Sequence, residues 1–201
     1  MPPYLRSLKP SGDTAADAPP LPAAHPDTPE HAMSTAPEQR IATEPQLSQI
    51  CEKIAELAVT YDIAIGTAES LTTGNLAAML GKASSSGDWY RGGIVAYHEK
   101  VKHTLLEVPD GPVVSEQAAA AMARSTATLL GANLTIAVTG EAGPQSQEDQ
   151  PPGTVWAAVY DRGNVRSECK EFDGDPEEVL AQTLSFALDS LLRHARVRAH
   201  A

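Results

Sequence analysis

The 201 residues suit one domain with some length to spare, and a hydrophobic share of 42% is enough to build its core. A formal charge of −11 and a pI of about 4.9 oppose a phosphate backbone, and no local basic face appears, so no nucleic-acid partner is predicted. No apolar run of about 18 residues and no charged-then-apolar leader occurs, so neither membrane insertion nor secretion is expected, and two cysteines, Cys51 and Cys169, fit a reducing cytoplasm.

Residues 1–45 hold ten of the sixteen prolines and a charge of −3, without apolar periodicity. Such a stretch cannot bury enough surface to offset its ordering entropy, and it is read as a disordered tail. Met33 inside it is an alternative start, and its acids argue against a transit peptide.

From Gln46 the pattern turns regular. Ile50, Ile54, Leu57, Ala58 and Tyr61 repeat at helical spacing and predict an amphipathic first helix. Ile63 to Ala68 is a short apolar run, read as a buried strand, and Asn75 to Leu80 as a helix after a Thr-Thr-Gly turn. A second strand is expected at Gly93–Tyr97, a short helix at Val101–Leu106, and a turn at Pro109–Pro112. Ser115 then caps a long Ala-rich helix that stops near Gly131. Leu134–Val138 is a third strand, and Thr154–Tyr160 and Val165–Phe172 form a hairpin across Asp161–Asn164. Asp175, Pro176 and Glu178 open the last helix as N-cap, first-turn proline and capping-box partner. Its buried stripe is Val179, Leu180, Thr183, Leu184, Ala187, Leu188 and Leu191. The order β-α-β-α-α-β-β-β-α after the first helix implies helices covering a mixed sheet.

In such folds chemistry gathers where strands run into helix N-termini. Two segments qualify. Thr67-Ala-Glu-Ser-Leu-Thr-Thr-Gly74 leaves an apolar strand and brings hydroxyls into a glycine turn, as either a ligand site or a plain hydroxyl-rich cap. Val138-Thr-Gly-Glu-Ala-Gly-Pro144 also runs from a strand into glycines, as either a close-approach loop or an ordinary turn. A third candidate is Tyr97 to Lys102, where either Lys100 or Lys102 supplies an amine as base or cationic clamp. No metal site is expected: His98-Glu99 and His103 are one residue out of zinc-protease register, and the other histidines form no cluster. Ser167 to Lys170 has S-x-x-K spacing but falls in a strand, where positions three apart face opposite sides. Cys51 sits on the first helix and reads as core.

Thr67-Ala-Glu-Ser70 with Thr72 and Gly74 is followed by Gly92-Gly-Ile-Val-Ala-Tyr97 with Lys102 and Leu105-Leu106. Val114-Ser115, Ala137-Val-Thr-Gly140, Ala142-Gly-Pro144 and Pro152-Gly-Thr-Val-Trp156 come next. In this order the pieces resemble the CinA C-terminal domain family, the nicotinamide-nucleotide (NMN) deamidases, over roughly residues 46–195, with 1–45 and 196–201 as tails. The resemblance implies a stand-alone, cytoplasmic homodimer with a three-layer α/β/α sandwich and a mixed, mostly parallel sheet. It implies no cofactor and no metal.

The implied reaction is hydrolysis of the carboxamide of nicotinamide mononucleotide to nicotinic acid mononucleotide and ammonia. Carried onto this chain, the nucleophile is Ser70, with Tyr97 and Lys102 assisting: Lys102, or Tyr97 relaying to it, takes the serine proton. Glu69, Thr72, Thr73, Gly74, Thr139, Gly140 and Gly143 are the expected substrate contacts, with amides at Thr72–Gly74 or Gly140 holding the oxyanion. Leu71 and Thr73 stand where the family has Cys and Gly, and a β-branched Thr73 is expected to reshape the turn. Glu141 and the acidic 145–150 segment place negative charge beside the proposed phosphate site. Two other readings are a non-catalytic relative that binds a nucleotide or protein, and an amidase for another substrate.

Overall fold

The computed structural model describes residues 41–144 and 150–200, so most of the expected tail, like Gln145 to Asp149, lies outside the described residues. Helix α1 (Glu44–Thr60) opens with Gln46 Oε1 accepting from the Thr43 amide at 2.8 Å. Its buried stripe is Leu47, Cys51, Ile54, Ala55 and Ala58. Tyr61, expected on that stripe, is instead 45% exposed, because the helix stops before it and the chain turns away at the C-cap.

Strand β1 (Ile65–Glu69) is buried at every position and paired on both edges, which explains its unbroken apolar run. Helix α2 (Asn75–Gly81) follows it, then α3 (Ser86–Trp89), a single turn that the sequence reading did not anticipate. Trp89 anchors this turn by donating Nε1–H to the Ser84 carbonyl at 3.0 Å. Strand β2 (Tyr90–Val95) begins three residues before the expected start and ends two before the expected stop. Its register against β1, from Ile65–Tyr90 to Glu69–Val95, leaves Tyr97 beyond the strand.

Helix α4 (Glu99–Leu105) is capped by His98 Nδ1, which accepts from the Lys100 amide. Helix α5 (Glu116–Leu130) is capped by Ser115 Oγ and closed by Gly131 at φ +60°, as its sequence requires. Strands β3 (Leu134–Gly140), β4 (Thr154–Asp161) and β5 (Asn164–Glu171) complete the sheet. The β4–β5 turn puts Arg162 and Gly163 at φ +45° and +95°, the left-handed pair that a tight hairpin uses.

The sheet order is β2-β1-β3-β4-β5: the first three strands run parallel, β4 is antiparallel to β3 and β5 to β4, so β4 alone runs against the other four. Helix α6 (Pro176–Ala199) starts with the predicted cap, Asp175 Oδ1 accepting from the Glu177 and Glu178 amides. One apolar cluster joins α1, α2 and α6 to the odd-numbered side of β1 and the facing positions of β3 and β4; a second joins α4 and α5 to the other side. The result is the α/β/α sandwich. No helix among the described residues is long and apolar enough to cross a membrane.

Helix α6 runs into the segment 196–201, which was expected as a tail. It continues to Ala199, because Arg198 is buried and donates Nε–H to Asp161 at 2.8 Å, with further bonds to Asn133. The last turn of α6 is thereby tied to the start of β3 and the end of β4.

Candidate active site

The parallel register brings the three candidate segments to one end of the sheet. Ala68 of β1 lies opposite Ala137 of β3 and Ile94 of β2, all on the α4/α5 side. The ladder runs one residue past β1: Ser70 donates its amide to the Val138 carbonyl at 3.1 Å, and the Glu69 carbonyl accepts from Ala96 at 2.7 Å. Side chains alternate along a strand, so Ser70 falls on the face of Ala68, next to Thr139 on the face of Ala137. Ser70 is 5% exposed, and its Oγ makes no hydrogen bond among the described residues.

Lys102 arrives on this same face. It is 4% exposed at the end of α4 and donates Nζ–H to Thr139 Oγ1 at 3.3 Å, while Lys100 is exposed. The Thr139 hydroxyl donates its only proton to the Val113 carbonyl at 2.7 Å. Its lone pairs are what it turns to the lysine, so Lys102 is the donor in that bond. Ser70, Thr139 and Lys102 are thus brought together, whereas Tyr97 is not. Tyr97 follows Ala96, which faces the trio, and alternation turns its ring outward to 71% exposure.

Glu69 has a different environment from the one expected. It is fully buried, and all its described partners belong to the chain that follows. Oε2 accepts from Thr72 Oγ1 at 2.7 Å, the Gly74 amide at 3.0 Å and the Leu76 amide at 3.1 Å, and Oε1 accepts from the Ala77 amide at 2.7 Å. The first-turn donors of α2 are therefore satisfied from inside the protein. The Thr73 amide is also spent, on the Ser70 carbonyl at 3.1 Å. Only the Leu71 and Thr72 amides of this turn make no hydrogen bond among the described residues.

Thr73 adopts φ +50° and Gly74 +95°, so a β-branched residue occupies the left-handed region that favours glycine. The other glycines differ in what they require. A Cβ on Gly140 would lie 2.6 Å from the Thr154 carbonyl oxygen, so its smallness lets β3 and β4 close together. Gly143 has φ +86° and carries the loop past Pro152. Glu141 is buried, and its amide and carbonyl bond Thr154 and Gly153.

Sequence reasoning missed a supporting cluster beneath the turn. Tyr90 Oη and Thr67 Oγ1 are 2.7 Å apart, and Gly93 packs so closely that a Cβ would meet both oxygens within 3 Å. Burial pushes the Tyr90 phenol up to about 12; the Thr67 bond opposes this and the Glu69 charge adds to it. The signal available was the Gly92-Gly93 pair inside an apolar run, a mark of close approach in a strand.

Other chemistry-bearing groups are accounted for elsewhere. His103 bonds the Val108 carbonyl and Glu99, and the Cys51 thiol is pushed up to about 11 by burial and then by Glu52. A groove of about 790 Å³ runs along α1 past Ser84, and none of the trio lines it. Its walls are solvated helix side chains with no convergent nucleophile and base, so volume and chemistry part company here.

Residues 47–195 match the family model of the CinA C-terminal domain. The chain is 36% identical over 153 residues to the nicotinamide-nucleotide amidohydrolase PncC of Pseudomonas putida, spanning 73% of this chain and 96% of that one. It is 33% identical to protein YdeJ of Escherichia coli, over 73% and 89% of the two chains. A competence-damaged protein (CinA) superfamily structure from Escherichia coli superposes with a TM-score of 0.72 at 33% identity, over 76% of this chain and 92% of that one. Competence damage-inducible protein A from Klebsiella pneumoniae gives 0.71 at 33% identity, over 73% and 95%.

Proposed function

This chain belongs to the CinA C-terminal domain family, and from that premise we propose that it is an amidohydrolase that deamidates nicotinamide mononucleotide to nicotinic acid mononucleotide and ammonia. One observation carries the reading: a serine whose Oγ makes no hydrogen bond among the described residues and a buried lysine share one face of the sheet, where the lysine is held by Thr139 on the strand next to that of the serine.

In this reading Ser70 Oγ attacks the carboxamide carbon while Lys102, as the neutral amine, accepts the hydroxyl proton. Thr139 holds one Nζ–H, which fixes how the lysine presents its lone pair. The Leu71 and Thr72 amides, which make no hydrogen bond among the described residues, meet the oxygen that becomes negative. Collapse breaks the C–N bond as Lys102 returns the proton to the leaving ammonia, and an ester on Ser70 remains. Water then adds to the ester with Lys102 again taking a proton, and release of the carboxylate restores the serine hydroxyl. Tyr97 is assigned to the bound substrate and left out of the proton path, in keeping with its exposure. A cytoplasmic homodimer completes the reading, and sedimentation checks the assembly.

The test is ammonia release from NMN by the full chain and by Ser70→Ala. Loss of release in the variant is expected; unchanged release would remove Ser70 from the mechanism. A second reading, an amide substrate without phosphate, is favoured by the buried Glu141 and by a turn whose Gly74, Leu76 and Ala77 amides are already taken. Nicotinamide riboside assayed beside NMN separates the two. Calorimetric binding of NMN without ammonia release would mark a non-catalytic relative.

A further inference from the structure

A buried carboxylate is a costly way to cap a helix. Serine, threonine or asparagine would satisfy first-turn amides without carrying a charge out of water. Glu69 nevertheless accepts three amides and one hydroxyl at 2.7 to 3.1 Å, and no lysine, arginine or histidine lies within ion-pair distance among the described residues. What balances its charge is the set of main-chain dipoles at the start of α2.

The chain it holds is strained. Thr73 and Gly74 both have positive φ, and a non-glycine residue in that region persists only where its surroundings over-determine it. Glu69 supplies that constraint from one end through its side chain, while its own carbonyl is fixed by Ala96 and the next amide by Val138. Ser70 therefore sits between two clamped points. Because Glu69 and Ser70 absorb the Gly74, Leu76, Ala77 and Thr73 amides, among the described residues of the turn it is Leu71 and Thr72 whose amides stay without a hydrogen bond beside the nucleophile.

We infer that Glu69 is a positioning residue: its carboxylate holds the Ser70–Gly74 turn in the shape that presents the serine with the Leu71 and Thr72 amides, and it does not touch the substrate. The inference rests on the amidohydrolase reading for its catalytic consequence. It also excludes the first turn of α2 as the seat of the nucleotide phosphate, since the donors there are occupied.

The experiment uses Glu69→Gln in the full chain. The amide is isosteric, but its NH2 faces main-chain donors, so the turn loosens without a cavity. The kcat for NMN is expected to fall about a hundredfold, the cost of misplacing a reacting group, with KM within about twofold of the parent. The Gly74, Leu76 and Ala77 amides should exchange with deuterium about tenfold faster, as local opening becomes easier. In Glu69→Ala, added formate should restore part of kcat in a saturable way and leave the parent chain unaffected. If Glu69→Ala fails to fold, the glutamine variant decides alone.

A rise in KM with kcat preserved would make Glu69 a substrate contact and overturn the inference, as would unchanged amide exchange with unchanged kcat. A parent chain that releases no ammonia from NMN would defeat the amidohydrolase reading. The exchange measurement in Glu69→Gln still judges whether the carboxylate holds the turn.

Discussion

Thr139 has one proton, and the Val113 carbonyl receives it, so the hydroxyl meets Lys102 as an acceptor. A valine at 139 keeps the shape and deletes that acceptor. Thr139→Val should lower kcat/KM for ammonia release about tenfold or more and cost about 1–3 kcal/mol of stability, and Thr139→Ser should restore most of both. Denaturant titration beside the assay checks this, and an active valine variant would dismiss Thr139 as an orienter. Thr73 offers the opposite change: glycine relieves the left-handed strain but frees the unfolded chain. Thr73→Gly is expected to stabilise by about 1 kcal/mol net, visible as a higher melting temperature.

Two histidines give pH signatures of opposite sign. The Val108 carbonyl and Glu99 raise His103 above its usual 6.5, so its contribution is full below that value and fades as pH rises through the higher folded value. His103→Asn should therefore cost more melting temperature at pH 5.5 than at pH 8.5. Burial, followed by the Arg166, Arg193 and Arg198 charges, lowers His194, with Asp161 opposing. Stability is lost there as pH falls from about 6.5 toward the depressed value. His194→Gln should remove part of that acid sensitivity; a parallel decline in both variants and parent would refute the assignment. Residue type and strand-exit position left Lys100 beside Lys102 and several hydroxyls beside Ser70; the resemblance chose between them, and the burial of Lys102 with the exposure of Lys100 depends on packing that the local sequence does not display. The role of Glu69 was not legible, since its acceptors meet donors three to eight residues on only after the turn has formed.

Among the elements, the β1–β2–α2 junction is the least forgiving. A methyl on Gly93 would stand 2.6 Å from Thr67 Oγ1 and 2.8 Å from the Ala77 Cβ, and neither neighbour is the loose end of a long side chain. Gly93→Ala should destabilise by about 1–3 kcal/mol, the usual range for overpacking, and calorimetry measures it directly. The helices and the β4–β5 hairpin could be read because caps, glycines and apolar spacing agreed along each segment. The boundaries of β2 could not. Its limits come from pairing with β1 and from the Tyr90–Thr67 contact, which are distant in sequence, and the local run Gly93–Tyr97 favoured the wrong frame. The single turn α3 was hidden for a related reason, because Trp89 fixes it through a hydrogen bond that composition does not announce. Likewise the last turn of α6 depends on a partner at Asp161, so its helical continuation was not visible in a run of Arg, Val and Ala.

At the level of the molecule, both apolar clusters draw their described members from Ala42 onward. Removing residues 1–40 is therefore expected to leave the melting temperature within a degree or two and ammonia release unchanged. A drop of several degrees would give that segment a structural part. The three-layer order was accessible from the alternation of strand and helix patterns. The antiparallel pairing of β5 with β4 followed from the hairpin signal. Which strand would lie in the middle was not accessible, because the β1–β3 pairing spans the whole of α2 to α5.

Helix α1 rests against α6, and about 115 residues separate the end of one from the start of the other. During translation the greasy side of α1 therefore emerges long before its cover exists. At roughly 5–20 residues per second the ribosome leaves it uncovered for several seconds or more. A nascent chain of this kind invites a chaperone in that interval, and stalling just before Pro176 would hold it in its stickiest form.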